Sequence, residues 1–159
     1  MEQPMRLVCF VAFIAFAIDQ VSKYLVVYGL NLIEKREIDV LPPLLNFKMG
    51  WNTGINFGIF SGASPFVWIL IAFGIVGFVL WWVFKDPQGK WQLISAGLLV
   101  GGALGNVIDR MIYGAVADFL NMSCCGFTNP TVFNIADIFI FAGAIGLVIF
   151  TKDKEKKAA

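Results

Sequence analysis

About twenty consecutive residues, Pro65 to Phe84, carry no charge and end beside Trp81-Trp82. Wound as a helix, such a segment is roughly 30 Å long and apolar on every side. A soluble domain of this size has no core deep enough to bury it all round. A bilayer does, and paired tryptophans suit its interface. The rest of the composition agrees. Of 159 residues, 58% are hydrophobic and 14% charged, whereas about a quarter of a soluble domain is charged. The chain reads as an integral membrane protein.

Three other segments have the same character. The first runs from Leu7 to about Tyr28 and contains Asp19 and Lys23, four apart on one helix face, where they neutralise one another. Arg6, a dozen apolar residues and Ala15-Phe16-Ala17 also resemble a cleavable signal peptide. The apolar pattern resumes beyond Asp19-Gln20, however, so an uncleaved span is expected. Further spans are expected over about 91–108 and 132–150. Four spans put both termini on one side, with Arg6, Lys85, Lys90 and the tail lysines, and the positive-inside rule makes that side cytoplasmic. The expected fold is a single integral membrane domain, residues 1–159. It is an all-α membrane protein of four transmembrane helices, with a small β element and loops on the outer, periplasmic face.

The β element is expected within 40–60. Leu45, Phe47, Met49 and Trp51 alternate there with Asn46, Lys48, Gly50 and Asn52, the period of a strand with one buried face.

With no histidine in the chain, Ser-His-Asp and Cys-His catalysis and imidazole metal sites are excluded. Cys9, Cys124 and Cys125 have no metal-ligand spacing and no activating base, and read as structural or incidental. No cofactor is expected. A net charge of +1, without a basic stripe, argues against nucleic acid as a partner.

The remaining chemistry is concentrated between Gly101 and Asp137. GGALGNVIDR leads to VADFL and then to FNIAD, which places Asp109, Asp118 and Asp137 in a chain otherwise poor in charge. Asn106 and Asp109 are three apart, as are Asn134 and Asp137, so each amide shares a helix face with a carboxylate. If span three ends at NVIDR and span four begins at NIAD, these four residues lie at similar depth near the outer edge of the bilayer, with Asp118 on the loop between them. Two close carboxylates cannot both ionise cheaply, so such a pair shares a proton and can supply both base and acid for hydrolysis.

Plainer readings compete. Asp109 sits beside Arg110 and has the marks of a structural helix-end charge. Asp137, in the first turns of an apolar helix, is costly to leave idle. Asp118 is ambiguous on composition alone. A proton-coupled transporter would place its carboxylates near the midplane between repeated halves, and no convincing repeat is present. A scaffold would use the Asn-Asp pairs as interhelical hydrogen bonds.

DQVSK (Asp19–Lys23), WNTGINF (Trp51–Phe57), GGALGNVIDR, VADFL and FNIADIF resemble, in order and spacing, the motifs of the lipoprotein signal peptidase (signal peptidase II) family, over nearly the whole chain. The resemblance implies a bacterial membrane aspartyl protease with Asp118 and Asp137 as catalytic dyad. Asn106, Asp109 and Arg110 would shape the site and contact substrate backbone. Asn134, Asn52, Gly54, Asp19 and Lys23 match the family's other motif positions. One departure is Ile55-Asn56, where the family more often has two small residues. The implied substrate is a prolipoprotein carrying a diacylglyceryl group, cut just before its lipidated cysteine in the cytoplasmic (inner) membrane. Membrane lipids and the inhibitor globomycin are the other implied partners.

Overall fold

The computed structural model describes residues 2–54, 64–85, 89–124, 126 and 129–158. Helix α1 (Glu2–Lys23) continues into a π-helical segment, Tyr24–Gly29, and is followed by the short α2 (Leu32–Lys35). Strands β1 (Glu37–Leu41) and β2 (Leu45–Asn52) form a hairpin. Helices α3 (Pro65–Lys85) and α4 (Lys90–Tyr113), strand β3 (Val116–Met122) and helix α5 (Ile135–Ala158) complete the order. Ile55 and Asn56, with the rest of 55–63, lie outside the described residues.

Among the described residues, three helical stretches are long and apolar enough to cross a membrane: Pro4–Gly29, Pro65–Lys85 and Lys90–Tyr113. The apolar part of α5, Ile135–Thr151, is shorter. Within its apolar window α4 is 72% buried, against 22% for α1 and for α3, which makes α4 the central post. Its sequence explains why. Gly97, Gly101 and Gly105 recur every fourth residue, so they form one smooth face. A Cβ on any of them would strike α1, at Val11, at the Ala12 carbonyl or at the Asp19 carboxylate respectively. Gly102 meets the Ala136 carbonyl of α5, and Gly143 of α5 meets Ser95 and Leu99 of α4. Small residues let helix backbones approach where lipid provides no hydrophobic drive between helices.

Span three was expected to end at Asp109-Arg110. Instead α4 continues for another turn to Tyr113 and stops at Gly114, whose φ of 74° is the left-handed cap that glycine tolerates. The chain then enters β3. Here the sequence reading is corrected: Asp118 is on a strand, not on a loop. Strand β3 is buried from Val116 to Asn121, because β2 pairs with it antiparallel on one edge while Phe133 bonds to Phe119 and Leu120 on the other. Buried on all sides, it shows none of the alternation that marks a half-exposed strand.

The sheet order is β1-β2-β3. Its apolar side packs Phe119 and Leu120 with Val26, Val27 and Leu32 of the first helical segments, and Phe47 meets Phe119 edge-on at 5.9 Å between ring centroids. The register of β2 against β3 shifts between Phe47 and Gly50. Leu45, Phe47 and Met49 pack on the apolar side as their alternation predicts, but beyond the shift the pattern fails: Trp51 is exposed, and the side chain of Asn52 reaches Asp118.

Candidate active site

Five elements, α1, β2, α4, β3 and α5, meet where α4 ends. From α5 come Asn134 and Asp137, placed by a capping box: Asn134 Oδ1 accepts the Asp137 N–H at 3.0 Å, and Asp137 Oδ2 accepts the Asn134 N–H at 3.3 Å. Asn134 is therefore the residue that starts the helix, and its Nδ2 is left to donate elsewhere. It donates to Asp118 Oδ1 at 2.6 Å and to Asn106 Oδ1 at 3.1 Å. Asn106 in turn donates from Nδ2 to Asp137 Oδ1 at 2.9 Å. Asp118 and Asp137, nineteen positions apart in the chain, are thus joined through two amides.

The second oxygen of Asp118 accepts Asn52 Nδ2 at 3.1 Å. Asn52 is fixed by an Asx turn, its Oδ1 accepting the Gly54 N–H at 3.0 Å. Arg110 closes this side, donating from Nη2 to the Gly54 carbonyl at 2.8 Å and from Nη1 to the Asn106 carbonyl at 3.2 Å. Asp118 is 1% exposed. Burial, reinforced by the neighbouring charge of Asp137, raises its pKa to about 7, against hydrogen bonds from Asn52 and Asn134 that favour its ionised form. At neutral pH this carboxyl sits between its two protonation states.

Asp109 takes a different role from the one its sequence neighbour suggested. It pairs with Lys23 of α1, Nζ to Oδ2 2.8 Å, while Arg110 turns toward Gly54. Lys23 also meets Asp19 Oδ2 at 2.8 Å and Asn106 Oδ1 at 3.3 Å. Both carboxylates reach backbone as well: Asp19 Oδ1 accepts the Ala136 N–H at 2.9 Å and Asp109 Oδ2 the Ala117 N–H at 3.1 Å. The candidate site residues named from the sequence, Asp19, Lys23, Asn52, Gly54, Asn106, Asp109, Arg110, Asp118, Asn134 and Asp137, therefore fall into one connected network. Gln20 belongs to it too and was missed. Its Nε2 donates to Asp19, to Asp109 and to the Gly105 carbonyl. The available signal was an uncharged amide placed next to Asp19 inside an apolar span.

A groove of about 290 Å³ leads to Asp137 between α3, α4 and α5. Trp68, Ile71, Ile75, Ile140 and Phe141 make its walls apolar, and Asn106, Arg110 and Asp137 supply the polar side chains of its lining. A carboxyl pair with one member near neutrality, reached from an apolar groove, has the equipment of a membrane hydrolase acting on an extended apolar chain.

Comparison with known proteins agrees with that class. The profile of the family described as Signal peptidase (SPase) II matches residues 11–152. A lipoprotein signal peptidase of Rhodopseudomonas palustris is 40% identical over 152 residues, spanning 91% of each chain. That of Thermodesulfovibrio yellowstonii is 39% identical over 145 residues, 91% of this chain and 92% of its own. A bacterial membrane enzyme solved by the in meso method at 2.3 Å resolution superposes with a TM-score of 0.78 at 31% identity, over 94% of this chain and 90% of that one. The chain belongs to the signal peptidase II family. It is thereby a membrane peptidase of lipoprotein processing.

Proposed function

We propose that this protein is an aspartic endopeptidase that removes the signal peptide from diacylglyceryl-modified prolipoproteins, cutting before the lipidated cysteine. The observation that carries the reading is the pairing of Asp118 and Asp137 through Asn134 and Asn106 at the end of an apolar groove. Asp118, with its proton retained to near neutrality, hydrogen-bonds the scissile carbonyl. Asp137 takes a proton from a water whose oxygen bonds to the carbonyl carbon. The carbon–nitrogen bond then breaks, and a proton passes to the departing amine of the lipidated cysteine.

The groove fits a substrate that arrives sideways through the bilayer, its apolar signal segment lying along α3, α4 and α5. In this reading α5 is a fourth span: its 17-residue apolar part is about 26 Å long, close to the hydrocarbon thickness. Both termini are then cytoplasmic in the inner membrane, and the dyad lies near the periplasmic edge.

The test is cleavage of a diacylglyceryl-modified prolipoprotein by purified protein in detergent, beside the unlipidated precursor and with globomycin. Cleavage is expected only of the lipidated form, blocked by inhibitor, and lost in Asp118→Asn and Asp137→Asn. Full activity in either variant would overturn the dyad. A folded wild-type protein that neither cleaves nor binds globomycin would overturn the function.

A further inference from the structure

The turn that joins β1 to β2 gives the sheet an apolar, uncovered tip. Across Pro42-Pro43 the Leu44 N–H bonds to the Leu41 carbonyl at 2.8 Å, and the Ser123 N–H bonds to the Leu44 carbonyl at 3.3 Å. The turn therefore sits against the end of β3, where Met122 pairs with Leu45. Leu41, Leu44 and Met122 are 59%, 50% and 56% exposed. Charge is also partitioned along the sheet. None occurs from Val40 to Phe47 or from Phe119 to Ala136, whereas Glu37, Asp39 and Lys48, nearer the other end of the hairpin, are all exposed. A hairpin tip that meets water is usually polar. A cluster of exposed apolar side chains marks a contact instead.

What covers the tip follows from where the sheet stands. Strand β3 begins at Val116, three residues after α4 ends at Tyr113. Its Phe119 and Leu120 pack with Val26 and Val27, which lie in the last turns of the apolar stretch Pro4–Gly29. The Lys23–Asp109 pair, at 2.8 Å, sets these two helix ends side by side. A strand held at both ends by the ends of two membrane-spanning helices runs across them rather than away from them. Met122 lies two residues past Leu120, about 7 Å farther along the strand, and stands beyond that support. It shares a face with Leu45, its cross-strand partner, and Leu45 belongs to the cluster packed on Val26 and Val27. The face turned toward the helix ends thus continues past them, uncovered, at the level where the bilayer begins. We infer that the tip formed by Leu41, Leu44 and Met122 is inserted into the lipid interface, among headgroups and the upper acyl chains. The bilayer then holds the free end of β2 and β3, the strands that carry Asn52 and Asp118. This attachment is additional to the spans and does not depend on the catalytic proposal.

The test is photocross-linking of the full chain in vesicles of phosphatidylethanolamine and phosphatidylglycerol. No substrate is present, so the outcome is independent of cleavage. Benzoylphenylalanine is placed at Leu44 or, as the control on the same hairpin, at Lys48, and intact mass after irradiation reads the adducts. About tenfold more lipid adduct is expected at Leu44 than at Lys48, the scale of burying one leucine-sized side chain. The same probe at Met122 repeats the measurement from the other strand. Adding Leu41→Asp and Met122→Asp to the Leu44 probe is expected to lower its adduct to the Lys48 level. Equal yields at Leu44 and Lys48, or a Leu44 yield untouched by the two aspartates, would overturn the insertion. Covalent dimers at Leu44 in place of lipid adducts would make a second copy the occupant and overturn the assignment to lipid.

Discussion

Asp19 and Asp109 do the same thing on opposite sides of the site. Each carboxylate accepts the backbone N–H of the residue immediately before one of the paired aspartates, Ala136 before Asp137 and Ala117 before Asp118. Lys23 binds both carboxylates at 2.8 Å. One ammonium on α1 thereby links, through these two carboxylates, β3 to the first turn of α5.

Removing Lys23 leaves two buried carboxylates without their counter-ion. Lys23→Met is expected to destabilise the protein by about 3–5 kcal/mol, the usual cost of breaking a buried ion pair from one side. Combining it with Asp19→Asn and Asp109→Asn is expected to restore much of that loss, since the charges then leave together. Thermal unfolding in detergent compares the two. A triple variant no more stable than the single one would show that the triad does not act as a unit.

Asn134 starts α5 and also holds Asp118 and Asn106. Asn134→Ala is expected to cost about 1 kcal/mol for the lost cap, and a further 1–3 kcal/mol for buried oxygens deprived of their donor. Asp137→Asn keeps the length of the capping side chain and is expected to unfold within about 1 kcal/mol of wild type. Melting curves of the two variants in one detergent separate them; equal losses would contradict the division of roles.

The pKa of Asp118 gives a pH signature with a definite sign. Its value rises from an ordinary 3.8 to about 7 in the folded protein, so the fold binds this proton more tightly than the unfolded chain does. The resulting stability is complete below about pH 4 and is lost as pH rises through about 7. The stability difference between wild type and Asp118→Asn is therefore expected to move against wild type by a few kcal/mol across that window. Cleavage by wild type is expected to decline above about pH 7, where the proton on Asp118 is gone. A kcat/KM profile flat to pH 9 would contradict this.

Glycines on α3 and α4 are expected to behave oppositely. Gly77 has nothing within 4 Å of a built Cβ, so Gly77→Ala is expected to be neutral or to stabilise by up to about 1 kcal/mol through helix propensity. Gly101→Ala pushes a methyl into the Ala12 carbonyl of α1 and is expected to destabilise by about 1–3 kcal/mol. Paired thermal melts measure both.

The apolar helices were legible because a charge-free run of twenty residues has few other solutions, and β2 because half-buried strands alternate; its partner β1, almost wholly exposed, carries no such pattern. Strand β3 was hidden by its own burial: VADFLN has both edges bonded and no exposed face to mark its period. Trp51 was assigned to the wrong face because a register shift leaves no mark in composition. The gathering of Asn106, Asn134 and the aspartates followed from helix spacing once the spans were placed. The grip of Asp19 on Ala136 did not. A carboxylate binding a backbone N–H has no partner side chain to betray it, and the two residues are 117 positions apart.

On the proposed mechanism the paired aspartates also fix when the protein becomes competent. Asp118 and its holder Asn52 are synthesised before Asn134 and Asp137, and the amide that joins the pair is the residue that opens α5. As the nascent chain leaves the ribosome, helices α1 to α4 and the sheet emerge without a complete proton-sharing pair. On that mechanism proteolytic capacity arrives only with the start of α5. Until then a newly made molecule lacks the proposed catalytic pair with which to attack its own emerging segments or its neighbours during insertion.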